Sequence, residues 1–173
     1  IATDWKATDW LMANCYLQEQ ILNNSSRPIE DARIHAMLCY RTPESFEVKF
    51  NRTINDELGV FNIESWLAHH GEKLQQRFQL ASYKLMNQLL KTIDITRGRG
   101  SFESVVAPIT ANIHIIGINT DLFFTPTENR KTNLELQKLQ LQTSYQEIDS
   151  IHGHDAFLIE FEQLHRLLAT VFE

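Results

Sequence analysis

Only two segments of this 173-residue chain have the pattern of β-strands, and together they call for a sheet that two strands cannot complete. Residues 112 to 118, NIHIIGI, form a short apolar run rich in β-branched residues, as in a parallel strand buried on both faces. Ser144 to Asp149 alternates as a strand. Between them, residues 127 to 140, TENRKTNLELQKLQ, have helical period, with Thr127 as the expected N-cap. Strand, helix and strand make one parallel unit, and Asp155 to Phe172 closes the chain as an amphipathic helix. A pair of parallel strands leaves its edges and both apolar faces open to water. Further strands must be supplied from elsewhere.

The rest of the chain is helix after helix. Residues 7 to 23 place Trp10, Leu11, Asn14, Leu17 and Ile21 near one face, and the run Asn23-Asn24-Ser25-Ser26 ends them. Pro28 suits a first helical turn, after which Ile29, Ala32, Ala36, Met37 and Tyr40 recur at helical spacing until Pro43. A short helix restarts there, with Phe46 and Phe50 four apart. NRTINDELGVFN is polar and irregular, and helices follow at Ile63 to Arg77 and about Ala81 to Thr92. The glycine- and arginine-rich run Asp94 to Ser101 has the composition of an exposed connection. Residues 1–95 are therefore expected to be a helical domain and residues 96–173 an α/β part.

Charge and cysteine usage narrow the function classes. Sixteen Lys and Arg against 22 Asp and Glu give a net charge of −6, which argues against a nucleic-acid partner. Cys15 and Cys39 form neither a disulfide framework nor a zinc pattern; they suit buried thiols in a reducing, cytoplasmic compartment. His69, His70 and His165 lie on helices without metal-ligand companions, so packing or solvent roles and no metal site are expected. No run approaches the roughly 18 apolar residues of a membrane span. The chain opens at Ile1 in IATDWKATDW, without an initiator Met or a signal peptide, which suggests the interior of a longer protein or a processed end.

In open α/β sheets, reactive groups gather beyond the carboxyl ends of the strands. The loop after the first strand carries Asp121, and the loop after the second carries His152, Gly153, His154 and Asp155. A carboxylate accepting the Nδ1–H of a histidine fixes its tautomer and leaves Nε2 free to take a proton. Asp121 before His154, one α/β unit apart, is the chain order of an α/β-hydrolase triad whose serine comes earlier. Taken singly, Asp121 also suits a helix cap or turn, and His154 a loop histidine satisfied by backbone. His152 competes for the same role but is better placed as loop surface. No G-x-S-x-G occurs, and Ser101 has no strand before it to form a nucleophile elbow. Arg33 and Tyr40, seven apart, share a helical face and suit an amino-acid substrate; a surface arginine and a half-buried core tyrosine fit the spacing as well.

Four strings carry a family likeness: DARIHAMLCYRTPESFEVKFNR, FNIESWLAHHGEKLQQRFQLASYKLMNQLLKTID, HIIGINTDLFFTP and EIDSIHGHDAFLIE. In order and spacing they resemble the homoserine O-acetyltransferases, α/β-hydrolase-fold enzymes of methionine biosynthesis. The resemblance implies the C-terminal part of an α/β-hydrolase fold preceded by its helical lid. It puts the catalytic acid on Asp121 and the base on His154. It puts the holder of the substrate amine on Asp155, and substrate-binding positions along the active-site tunnel on Arg33 and Tyr40. It further implies L-homoserine and acetyl-CoA as substrates, with no bound cofactor, and a homodimer contact through the lid. The serine nucleophile and oxyanion hole would come from an N-terminal remainder, leaving this chain inactive alone. Succinyl-CoA as donor, serine as acceptor, a plain hydrolase or a non-catalytic helical dimerisation module are the alternatives.

Overall fold

The structure, a computed structural model, describes residues 4–172; Ile1, on which the expectation of an interior start rests, lies outside the described residues. The helical part runs α1 (Asp9–Asn24), α2 (Pro28–Tyr40), α3 (Pro43–Phe50), β1 (Ile54–Asn55), β2 (Val60–Phe61), α4 (Asn62–Gln75) and α5 (Leu80–Lys91). After it come α6 (Phe102–Val106), β3 (Ile113–Ile118), α7 (Pro126–Lys138), β4 (Thr143–Ile148), a 3-10 turn (Gly153–Leu158) and α8 (Phe161–Phe172).

Local chemistry sets the helix ends. Thr8 caps α1 by accepting the Leu11 N–H at 3.1 Å, and Thr42 caps α3 through Ser45 N–H at 3.0 Å. Pro43 takes the first turn of α3, where a missing N–H costs nothing. The same logic moves the start of α7: Pro126 is in its first turn and Thr125, not Thr127, is the N-cap.

The buried stripe of α1 is Leu11, Asn14, Cys15, Gln18 and Leu22, whereas Trp10 and Leu17 are exposed. Leu11 and Asn14 are on the expected face, which is rotated toward Cys15 and Gln18 because polar side chains are buried there with partners. Asn14 Nδ2 donates to Trp10 O at 2.9 Å while its Oδ1 accepts the Cys39 thiol at 3.2 Å, and Gln18 Nε2 donates to Ala32 O at 2.9 Å. Across the bundle, α1 packs on α2 and α5, and α2 on α4. Asn87 of α5 donates to Cys15 O at 2.9 Å, and Lys91 pairs with Glu19 at 2.7 Å.

Two stretches differ from the sequence expectation. NRTINDELGVFN is not irregular throughout: β1 and β2 pair antiparallel, Ile54 with Phe61 and Asn55 with Val60, around Gly59 at φ +66°. Asp155 to Phe172 is not one helix. Its first turn is drawn into the 3-10 turn by contacts to the strand-end loops, and α8 begins only at Phe161. Glu160, at the break, accepts the Ser150 hydroxyl at 2.7 Å.

β3 and β4 pair in parallel through six residue pairs, from Ile113 with Thr143 to Ile118 with Ile148. Among the described residues this parallel sheet has two strands. α7 packs on both, while Leu164 and Leu167 of α8 cover a small core of Ile118, Ile148 and Ala156. The two ends of the helical part are tied together where Ala7 N–H donates to Ile93 O at 2.8 Å and Ile95 N–H to Trp5 O at 3.0 Å. Trp5 stacks on Phe102, ring centres 4.7 Å apart, so Asp94 to Thr96 are half-buried and only residues 97 to 101 of the connection are exposed.

Candidate active site

The register of β3 and β4 brings their carboxyl ends side by side, and the loops leaving them are cross-bonded. Asn119 Oδ1 accepts the Ser150 N–H at 3.0 Å; Thr120 Oγ1 donates to Ser150 O at 2.6 Å and accepts the Gly153 N–H at 3.2 Å. Between these braces, His154 Nδ1 lies 2.8 Å from Asp121 Oδ2. Asp121 is buried, 6% exposed at its side chain, and its other oxygen accepts the N–H groups of Phe123 at 2.7 Å and Phe124 at 3.0 Å. Two backbone donors fix the orientation of that carboxylate. It therefore takes the Nδ1–H of His154 and leaves the Nε2 lone pair available, with no described residue hydrogen-bonded to Nε2.

Aromatic rings surround the imidazole: Tyr40, Phe123, Phe124 and Phe157 lie 5.3 to 5.8 Å from it, centre to centre. Tyr40 and Phe123 also line a cavity of about 300 Å³ walled mostly by the helical part, together with Arg33, Cys39, Tyr83 and Leu90. The Arg33 guanidinium sits 5.4 Å from the centre of the Tyr40 ring. Burial pushes the Tyr40 phenol up, Arg33 opposes, and Asp155 adds to the rise. The Tyr83 phenol is pushed up by burial, with Tyr40 as its next cause. Burial, reinforced by Glu128 and Asp121, raises the Asp4 carboxyl to about 6.

The structure thus joins Asp121 to His154 and Arg33 to Tyr40, and it sets the second pair beside the first. Asp155 is placed differently from Arg33 and Tyr40, in an ion pair with Arg41 at 3.0 Å. Sequence reasoning passed over Arg41, although a largely buried carboxylate calls for a counter-ion. His152 is not loop surface: it is half-buried, and its Nδ1 lies 2.9 Å from Ser45 Oγ. Trp10, which periodicity placed inside, braces the acid loop from the surface through Nε1–H to Leu122 O at 2.6 Å. Cys15 and Cys39 are free, buried thiols. His70 packs on Trp66 at 4.3 Å. Among the described residues, no helix is long and apolar enough to cross a membrane.

A carboxylate and an imidazole brought together at adjacent parallel strand ends, with a helical part against them, are the arrangement of an α/β-hydrolase-fold protein. Solved structures agree on this fold. Esterase E22 matches at TM-score 0.75 and 13% identity, over 95% of this chain and 51% of that one. Homoserine O-acetyltransferase from Bacillus anthracis matches at TM-score 0.74 and 18% identity, over 89% of this chain and 47% of that one. No family model matches the chain. The homoserine O-acetyltransferase of Cyclobacterium marinum is 33% identical over 183 residues, covering 99% of this chain and 51% of the relative. The chain is a homologue of the curated homoserine O-acetyltransferases, and it spans about half the length of the relatives it matches.

Proposed function

We propose that this chain supplies the lid, the acid–base pair and the acceptor-binding residues of a homoserine O-acetyltransferase, and that a segment outside it supplies the serine nucleophile and oxyanion hole. The observation that carries this is the 2.8 Å contact of His154 with Asp121, beside a cavity lined by Arg33 and Tyr40. In the complete acyltransferase, meaning this chain joined to or complexed with its nucleophile segment, His154 Nε2 takes the serine proton. The serine attacks the thioester carbon of acetyl-CoA, and the coenzyme A thiolate leaves with the proton held by His154. His154 then takes the γ-hydroxyl proton of L-homoserine, whose oxygen attacks the acyl-serine; O-acetylhomoserine departs and the serine regains its proton.

Recognition of the acceptor divides between its two charges. Arg33 and Tyr40 are suited to its carboxylate, Asp155 to its ammonium group. Residues 1–95, as the lid, would limit access of water to the acyl-serine, and a homodimer through this lid in a reducing cytoplasm completes the proposal. The test is co-expression with the amino-terminal half of the Cyclobacterium marinum relative, followed by assay of acetyl-CoA and succinyl-CoA against L-homoserine and L-serine. O-acetylhomoserine is expected as the main product, with none from this chain alone. Succinyl transfer, serine acylation or simple thioester hydrolysis as the main outcome would displace the proposal.

A further inference from the structure

Tyr40 ends α2, and the next side chain, Arg41, turns toward the loop that holds His154. Its Nε–H donates to Asp155 Oδ2 at 3.0 Å, and both side chains are more than four-fifths buried, at 17% and 18% exposure. Its Nη1 lies 3.4 Å from His152 Nδ1, which also accepts the Ser45 hydroxyl at 2.9 Å. Two donors facing Nδ1 require the lone pair there, so His152 carries its ring proton on Nε2. The guanidinium is therefore fixed from two sides and meets Asp155 through one nitrogen and one oxygen. Asp155 Oδ1 has no hydrogen bond to any described residue. The backbone is fastened at the same corner, because the Thr42 hydroxyl donates to Ile151 O.

We propose that Arg41 is a positioning residue that selects for amine-bearing acceptors: by gripping one oxygen of Asp155 it fixes the carboxylate and aims the other oxygen at the acceptor's ammonium group. This rests on the acyl-transfer role of Asp155 given above. A buried carboxylate stripped of its partner turns toward other donors, and that change removes its value for binding a cation. Lysine does not replace arginine here, since an ammonium lacks the planar fork that addresses Asp155 and His152 together.

The experiment compares L-homoserine with 4-hydroxybutyrate, which keeps the hydroxyl and carboxylate but has no amine, in the complete acyltransferase. Arg41→Gln is expected to lower the kcat/KM ratio of homoserine over 4-hydroxybutyrate by about tenfold or more, chiefly through the homoserine KM. Arg41→Lys should lower it by a smaller factor. Asp155→Asn should lower it as well, and adding Arg41→Gln to Asp155→Asn should lower it no further. General damage to the fold would slow both acceptors alike and leave the ratio unchanged. An unchanged ratio in Arg41→Gln, or in Arg41→Lys if the glutamine variant does not fold, overturns the proposal. Absence of acetyl transfer to homoserine by the unaltered enzyme overturns the acyl-transfer role first, and this one with it.

Discussion

Gly153→Ala perturbs the dyad without touching either of its members. Gly153 has φ +64°, and a Cβ there would stand 2.9 Å from Tyr40 O, 3.4 Å from Thr42 Cγ2 and 3.5 Å from the Arg41 carbonyl carbon. An alanine held in the left-handed region costs about 1 to 2 kcal/mol. The carbonyl at the end of α2 cannot swing aside as a flexible side chain would, so the loop itself must retreat by a few tenths of an ångström. That movement strains the Gly153 N–H to Thr120 bond of 3.2 Å and the adjoining His154 to Asp121 bond of 2.8 Å. Weakening a charged hydrogen bond by about half of its roughly 1.5 to 3 kcal/mol brings the stability loss to about 2 to 4 kcal/mol in all. Displacing the base should also slow acylation by about ten- to a hundredfold.

Gly59→Ala isolates the backbone part, because Gly59 has φ +66° but a methyl group there would meet nothing within 4 Å beyond its chain neighbours. Chemical denaturation should show Gly59→Ala destabilised by only about 1 to 2 kcal/mol, with acylation unchanged. Stopped-flow measurement of the acyl burst in the complete acyltransferase reads the catalytic effect. A burst in Gly153→Ala within about twofold of the unaltered rate, with stability equal to that of Gly59→Ala, would refute the claim that this close approach positions His154.

Other substitutions test other parts of the site. In Asp121→Asn, the amide oxygen would keep the Phe123 and Phe124 N–H groups and turn its NH₂ toward His154, forcing the wrong tautomer. Burst rate should fall on the order of 10⁴-fold, and a fall of less than about tenfold would contradict the assigned orientation. Arg33→Ala should raise the homoserine KM by about ten- to a hundredfold while changing the acetyl-CoA KM far less; equal changes would remove Arg33 from acceptor binding. Burial pushes the Cys15 thiol up to about 11, against an opposing pull from Lys91, and raises Cys39 too. At pH 8 both should therefore resist iodoacetamide in the native protein and react once denatured, whereas rapid native labelling would show that they are not buried as described.

The parallel unit was legible because its signals are local: a β-branched run, a segment of helical period and an alternating segment specify their own elements. Asp121 and His154 followed from strand ends, which in a parallel sheet share one edge. What stayed hidden depended on partners distant in the chain. Nothing near Trp10 announces a bond to Leu122, 112 residues on, so hydrophobicity placed its ring inside. Buried Gln18 looks like a surface residue until Ala32 is brought against it. Arg41 and Asp155 are 114 residues apart, and only the docking of α2 on the histidine loop makes them a pair. The break before α8 was masked by an unbroken helical pattern, which the demands of the 3-10 turn override.

Acetyl-enzyme formation by this chain together with its nucleophile segment tests the dyad most directly. Intact-protein mass measurement after mixing with acetyl-CoA should reveal a stoichiometric acetyl group on the nucleophile segment, and His154→Ala should abolish it on the same timescale. Acetylation at an undiminished rate in the His154→Ala variant would contradict the assignment of His154 as the base.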